Sequence, residues 1–257
     1  MTSLKKRNIL FYDKRRGEGD LTVDIPSTDY VKKTFDVKLS ASDVIPDAGC
    51  GVCSHLLSLN CGERVGLDIS LGNLTIAKNR GNRIHLIRGD AENLPFKDDA
   101  FDAVLIVSLL HHLPNSEQAL NQISRVIRER GYLLLNDSSV TGIRLIYPLA
   151  MIMSLFTRLL GSPESFGPKL NYLYNILRKE KFHILKINIS TIFIYSCIFS
   201  SLKGFIRRIN HPHFVRFMLN LLVNATKASF MSLDSKILSK LGPKFGVWFK
   251  LVAIKGP

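Results

Sequence analysis

From Ser42 onward, short apolar runs alternate with stretches whose apolar residues recur at helical spacing. "DVIPDAG" reads as a strand and "VCSHLLSLN" as a helix. "RVGLDIS" is a second strand, followed by a helix through "LGNLTIAKNR", and "RIHLIRGD" is a third strand. "FDAVLIVSLL" is a fourth, apolar almost without a break, as a strand buried on both faces should be. In "NSEQALNQISRVIRER", Leu120, Ile123, Val126 and Ile127 share one helical face, and Asn115 or Ser116 can cap the start. "GYLLLND" is a fifth strand. Strands alternating with helices predict an α/β fold, a parallel sheet with right-handed crossovers.

After Asp137 the rhythm loosens. "IRLIYPLAMIMSLFTRLLG" has a helical pattern that Pro148 should kink, and "KLNYLYNILRKEKFHILKINI" reads as a helix running into a strand. Residues 191–245 are apolar, basic and mostly helical in pattern, and are longer than an ordinary connection. "GVWFKLVAIKG" returns to a strand. The expected organisation is one domain over 1–257. It comprises a lead-in (1–40), a core (41–140), helices and a sixth strand (141–190), a basic helical insertion (191–245) and a last strand (246–257).

Charge changes this picture. Residues 141–257 hold 17 Lys and Arg against Glu164, Glu180 and Asp234, which accounts for the whole net charge of +14. Such asymmetry points to an anionic partner: a membrane surface, an acidic substrate or, less favoured, a phosphate-rich polymer such as RNA. A basic solvated surface is the plain alternative. The longest uncharged run, "INISTIFIYSCIFSSL", has 16 residues, short for a membrane span. The first residues hold no apolar run of signal-peptide length, and four unevenly placed cysteines fit a reducing compartment. The expected location is cytoplasmic, with peripheral attachment to the inner face of the membrane.

The chemistry centres on "DAGCGVC". In a doubly wound sheet, a glycine turn after the first strand lets a ligand approach the backbone. Asp68 closes the second strand 19 residues after Gly49, placed to accept bonds from ribose hydroxyls. A nicotinamide or flavin dinucleotide would use Asp68 equally well. However, Ser54 stands where its fingerprint wants a third glycine, and Asp47 would repel a pyrophosphate. A zinc site from Cys50, Cys53, His55 and Cys61 is disfavoured, because all four lie within twelve residues.

"DAGCG", "GLDIS", "GDAENLPFKDDAFDAVLIVSLLHHL" and "ALNQISRVIRERGYLLL" follow one another in the order and spacing of class I S-adenosylmethionine-dependent methyltransferases. They most resemble the small-molecule, ubiquinone/menaquinone-type branch. The resemblance implies a Rossmann-like, doubly wound, mostly parallel seven-stranded sheet, here with a late helical insertion. It implies S-adenosylmethionine as cofactor. Gly49, Cys50 and Gly51 would then meet its methionine end, with Asp47 acting through the amino group or a water. Asp68 would hold the ribose, Ile69 would pack on the adenine, Asp90 and Ala91 would meet the adenine edge, and Val107 would lie near the sulfonium. His112 is the candidate catalytic residue, orienting the acceptor or taking its proton. The acceptor implied is small or lipid-like and hydrophobic; RNA, or a non-catalytic binding module, is the alternative. Pro46, Cys53 and "RERG" depart from the family pattern, which usually has an aliphatic residue, a third glycine and a basic-Pro-Gly-Gly turn at these places.

Overall fold

The computed structural model describes residues 2–14, 34–59, 61–80, 84–139, 167–190 and 248–257. The helices expected in 141–166 and the basic insertion at 191–245 lie outside these residues, as do 246 and 247 of the expected last strand.

Seven strands form one sheet. They are β1 (Val44–Ala48), β2 (Glu63–Asp68), β3 (His85–Arg88), β4 (Phe101–Val107), β5 (Ile127–Ser138), β6 (Phe182–Ser190) and β7 (Trp248–Lys255). Their spatial order is β3-β2-β1-β4-β5-β7-β6, with β7 antiparallel to both neighbours and the other pairs parallel. The fold is therefore the Rossmann-like, mostly parallel arrangement. Four helices accompany the sheet among the described residues: α1 (Ser3–Lys14), α2 (Leu71–Lys78), α3 (Ser116–Val126) and α4 (Leu170–Lys179).

The sheet buries both faces. Ala48, Val104, Ile106, Leu133, Leu135 and Leu251 belong to one core layer with Leu120, Ile123, Leu173 and Leu177 of α3 and α4. Ile45, Leu105, Leu134 and Val252 belong to the other, with Cys50, Cys53, Leu56 and Leu74. Alternate residues of each strand thus feed opposite layers, as the two-residue period requires.

Three local outcomes differ from the sequence pattern. "VCSHLLSLN" yields only a 3₁₀ turn at Leu56–Ser58. Gly49, Gly51 and Cys53 all have left-handed φ (80°, 53° and 61°), and that alternation breaks a helix before it can nucleate. The helix expected to reach Arg130 stops at Val126, because Ile127 turns extended (φ −79°, ψ 129°) and pairs with Phe101. Residues 128–131 then bulge before Tyr132 pairs with Ala103. Finally, Pro46 does sit within β1. There β1 registers with β2 along its whole length but with β4 at the single pair Asp47↔Leu105. A proline gives neither neighbour a ladder bond, and Asp102 Oδ2 accepts the Val44 N–H (2.7 Å) at the strand's entry instead.

Candidate active site

Strand order reverses between β1 and β4, so the segments leaving their carboxyl ends diverge and open a crevice. A cavity of about 340 Å³ lies there, within the range of small-molecule sites. Gly49, Cys50, Gly51, Asp68, Ile69, Asp90, Ala91, Val107 and His112 all line it.

Asp47 does not line it. Its side chain is 1% exposed, beneath the loop, and neither carboxylate oxygen has a partner. Burial, with the nearby Asp68 charge, pushes its pKa well above the usual carboxylate range. Its β2 register partner is Gly66. A Cβ on Gly66 would stand 2.8 Å from Cys53 Sγ and 3.0 Å from Cys50 Sγ, so the loop's two thiols close over the sheet at this point. Gly66→Ala should therefore overpack the loop and cost about 1–3 kcal/mol. Chemical denaturation measures this, and unchanged stability would show that the thiols can move aside. Gly49 is constrained in the same way: its φ is +80°, and an added Cβ would lie 2.6 Å from a Leu109 methyl.

Asp68 ties the loop to β2. Its Oδ2 accepts the Gly51 N–H (2.8 Å), and its Oδ1 accepts the Ser70 N–H (2.8 Å) and a longer bond from Asn73 Nδ2 (3.4 Å). Burial raises its pKa, and these three donors oppose the rise. Oδ2 keeps a lone pair for a ligand hydroxyl, and Oδ1 gains one where the long Asn73 bond gives way.

The N-terminal helix forms a wall of the cavity that sequence reasoning had left as a lead-in. Lys5, Asn8 and Tyr12, spaced i, i+3 and i+7, share one face of α1 and line the cavity. That spacing was the available signal. Lys5 is paired with both Asp90 and Glu92. Asn8 Nδ2 donates to the His112 carbonyl (2.9 Å), and Asp13 Oδ1 accepts from Ser70 Oγ (2.6 Å) and the Gly72 N–H (2.9 Å). The Tyr12 hydroxyl and His112 Nε2 share a bond of 3.1 Å.

His112 follows β4 in a 3₁₀ turn, Leu110–His112, that Asp137 holds from below. Asp137 is fully buried; its Oδ2 accepts the Leu110 N–H (2.6 Å) and its Oδ1 bonds His111 Nδ1 (2.6 Å). Burial, and then the adjacent His111, lower the His112 pKa to about 3, with Asp137 opposing. Burial likewise lowers His55, also on the wall, to about 4. Both rings are neutral at physiological pH.

The wall therefore carries Asp68 and Asp90, with Asp47 behind it. Its one lysine, Lys5, is already engaged by two carboxylates. An ammonium and a sulfonium suit such a lining, and a diphosphate would meet repulsion with no unpaired lysine or arginine among the described lining residues to offset it. Asn8 Oδ1 and His112 Nδ1 are also buried without partners, so the cavity has polar atoms that a ligand can satisfy. The residues fit S-adenosylmethionine.

Comparisons agree with this geometry. Residues 46–135 match a family described as "Methyltransferase domain". The phthiotriol/phenolphthiotriol dimycocerosates methyltransferase 1 of Mycobacterium ulcerans is 34% identical over 131 residues, covering 46% of this chain and 48% of that protein. The demethylmenaquinone methyltransferase of Staphylococcus haemolyticus is 34% identical over 118 residues, covering 43% and 48%. The chain thus spans about half the length of these curated relatives. Among solved structures, a phosphoethanolamine N-methyltransferase 2 of Haemonchus contortus superposes with a TM-score of 0.60 at 15% identity, covering 88% of this chain and 51% of that one. That likeness speaks to fold alone. With the domain match over residues 46–135 and the strand order, it shows that this chain has the fold of the class I S-adenosylmethionine-dependent methyltransferases.

Proposed function

We propose that the protein transfers a methyl group from S-adenosylmethionine to a small or lipid-like hydrophobic acceptor. The observation that carries this reading is the acid-lined cavity at the glycine loop, whose only lysine among the described residues is paired with Asp90 and Glu92. Matched relatives named for dimycocerosates and demethylmenaquinone support a hydrophobic acceptor.

When bound, the cofactor supplies an electrophilic methyl group on a positively charged sulfur. The chain's own residues do the rest. Asp68 would hold the ribose hydroxyls, and the Gly49–Gly51 backbone would meet the methionine end, with Asp47 behind the wall. Ile69 would pack on the adenine, and Asp90 and Ala91 would meet its edge. Val107 would lie near the methyl-donor end of the cavity, which α1 and the Leu110–His112 turn also line. Holding the acceptor atom in line there can lower the barrier by about 7–11 kcal/mol.

His112 acts by orientation. A neutral imidazole with a pKa near 3, bonded to Tyr12, is a hydrogen-bonding partner and a weak proton acceptor. The pH dependence of turnover should then show no inflection between pH 5 and 8 that disappears in His112→Gln. Such an inflection would make His112 the base.

The test of the activity is to incubate the protein with methyl-labelled S-adenosylmethionine and a total lipid extract. S-adenosylhomocysteine and label in an organic-soluble product should appear together. Cofactor binding without turnover on lipid or aqueous extracts would contradict the enzymatic reading. The charge of residues 141–257 supports docking on an anionic membrane. Flotation with phosphatidylglycerol vesicles, lost at high salt, is the expected result, and salt-sensitive retention on RNA alone would overturn it. No helix among the described residues is long and apolar enough to cross a membrane.

A further inference from the structure

From Val107, on the cavity wall, a row of register partners runs across the sheet. Val107 of β4 registers with Asn136 of β5, Asn136 with Lys250 of β7, and Lys250 with Asn188 of β6. Register partners point to the same side of a sheet. Asn136 alternates with Leu134, and Lys250 with Val252, so the row belongs to the layer that holds the glycine-loop cysteines. It also lies near the carboxyl edge of the parallel strands: β4 ends at Val107, β5 at Ser138 and β6 at Ser190, and antiparallel β7 begins at Trp248. Three polar residues on three adjacent strands thus extend from the methyl-donor end of the cavity.

Lys250 is the unusual member. A strand between two partners is normally apolar on both faces, and here it carries an ammonium. The other residues on its side, Val252 and Ile254, are apolar. Burial pulls the Lys250 pKa below its ordinary value, and no neighbouring charge contributes. No described carboxylate pairs with it, whereas Lys5, Lys179, Lys186 and Lys255 each have one. An unpaired, partly desolvated cation flanked by two amides is half of a charge-assisted contact.

We infer that Lys250, with Asn188 beside it in register, forms the acceptor subsite and holds a carboxylate or phosphate on an otherwise hydrophobic acceptor. This rests on the methyltransferase reading and narrows its substrate class. With strands about 4.8 Å apart, the Val107 and Lys250 backbones are separated by roughly 10 Å. The anionic group therefore sits a short distance from the atom that receives the methyl.

Calorimetry on protein saturated with S-adenosylhomocysteine tests it, using decanoate, decyl phosphate and decanol as probes. At least one anionic probe should bind about tenfold or more tightly than decanol. Lys250→Met should abolish that preference, Lys250→Arg should retain it, and both variants should bind S-adenosylhomocysteine as the wild type does. Which anion binds more tightly separates a carboxylate acceptor from a phosphate one. Equal binding of all three probes, no binding of any, or a preference that survives Lys250→Met would overturn the subsite. Failure of the wild type to bind S-adenosylhomocysteine would instead overturn the methyltransferase reading beneath it.

Discussion

Replacing Asp68 by alanine is expected to weaken S-adenosylmethionine binding by about 100-fold or more. Hydrogen bonds to a charged acceptor contribute about 1.5–3 kcal/mol each, and a ribose offers two hydroxyls. The same carboxylate also holds the Gly51 and Ser70 N–H groups. Its loss therefore loosens the glycine loop and leaves two donors unpaired, so the alanine variant should be less stable as well. Asp68→Asn separates the two effects. It keeps the shape and one acceptor oxygen, so it should recover more stability than affinity. The wild type should also lose affinity as pH falls through the raised Asp68 pKa, because the protonated acid gives up acceptor capacity. Affinity in Asp68→Asn should lack that dependence. Titration calorimetry at several pH values reads both, and an alanine variant that binds normally would remove Asp68 from the site.

Asp47→Asn should produce two changes of opposite sign. Asp47 is buried with both oxygens unpartnered, and its pKa is raised by burial and by Asp68. For an acid raised in this way, its contribution to stability is complete below the unfolded value near 3.9 and is lost as pH rises through the folded value. The ligand-free wild type therefore carries a penalty at neutral and alkaline pH that asparagine lacks. The variant should be more stable at pH 8 by on the order of 1–3 kcal/mol. That corresponds to roughly 2–4 °C in Tm per kcal/mol for a domain of this size. Near pH 4 the difference should shrink. Cofactor affinity should move the other way, falling about tenfold, because a bound cation draws Asp47 toward its ionised form, a charge that asparagine lacks. Thermal melts with and without S-adenosylmethionine measure both quantities. A variant that loses stability at pH 8, or binds the cofactor unchanged, would contradict this role.

Most of the sheet was legible because its strands carry the signal themselves. "FDAVLIVSLL" and "GYLLLND" are apolar runs of strand length, and their centres, Ala103 to Ile106 and Leu133 to Leu135, are fully buried. The first connection was misread for a physical reason. Leu56, Leu57 and Leu59 have an apolar pattern compatible with a helix, but left-handed φ at Gly51 and Cys53 forbids one. Only the glycine advertises this, since a left-handed cysteine looks like any other in sequence. The end of α3 was misplaced because Ile127 is buried whether the chain is helical or extended there, so periodicity does not decide it.

The candidate site divides similarly. The places of residues at or just beyond strand ends (Gly49–Gly51, Asp68–Ile69, Asp90–Ala91 and Val107) on the cavity wall were readable, because strand ends converge on one edge. Lys5, Asn8 and Tyr12 were not, because their place depends on where α1 docks, which distant partners such as Asp90 and His112 fix. The row from Val107 to Asn188 was hidden too, since it exists only through inter-strand register.

The central claim is a preference for a cationic donor over a diphosphate, made by Asp47, Asp68 and Asp90 around a loop whose nearby lysine is already paired. Titrating the ligand-free protein with S-adenosylmethionine and, separately, with NAD tests it most directly. Saturable one-to-one binding of S-adenosylmethionine, with no saturable binding of NAD, is the expected result. NAD binding as tight as, or tighter than, S-adenosylmethionine would contradict it.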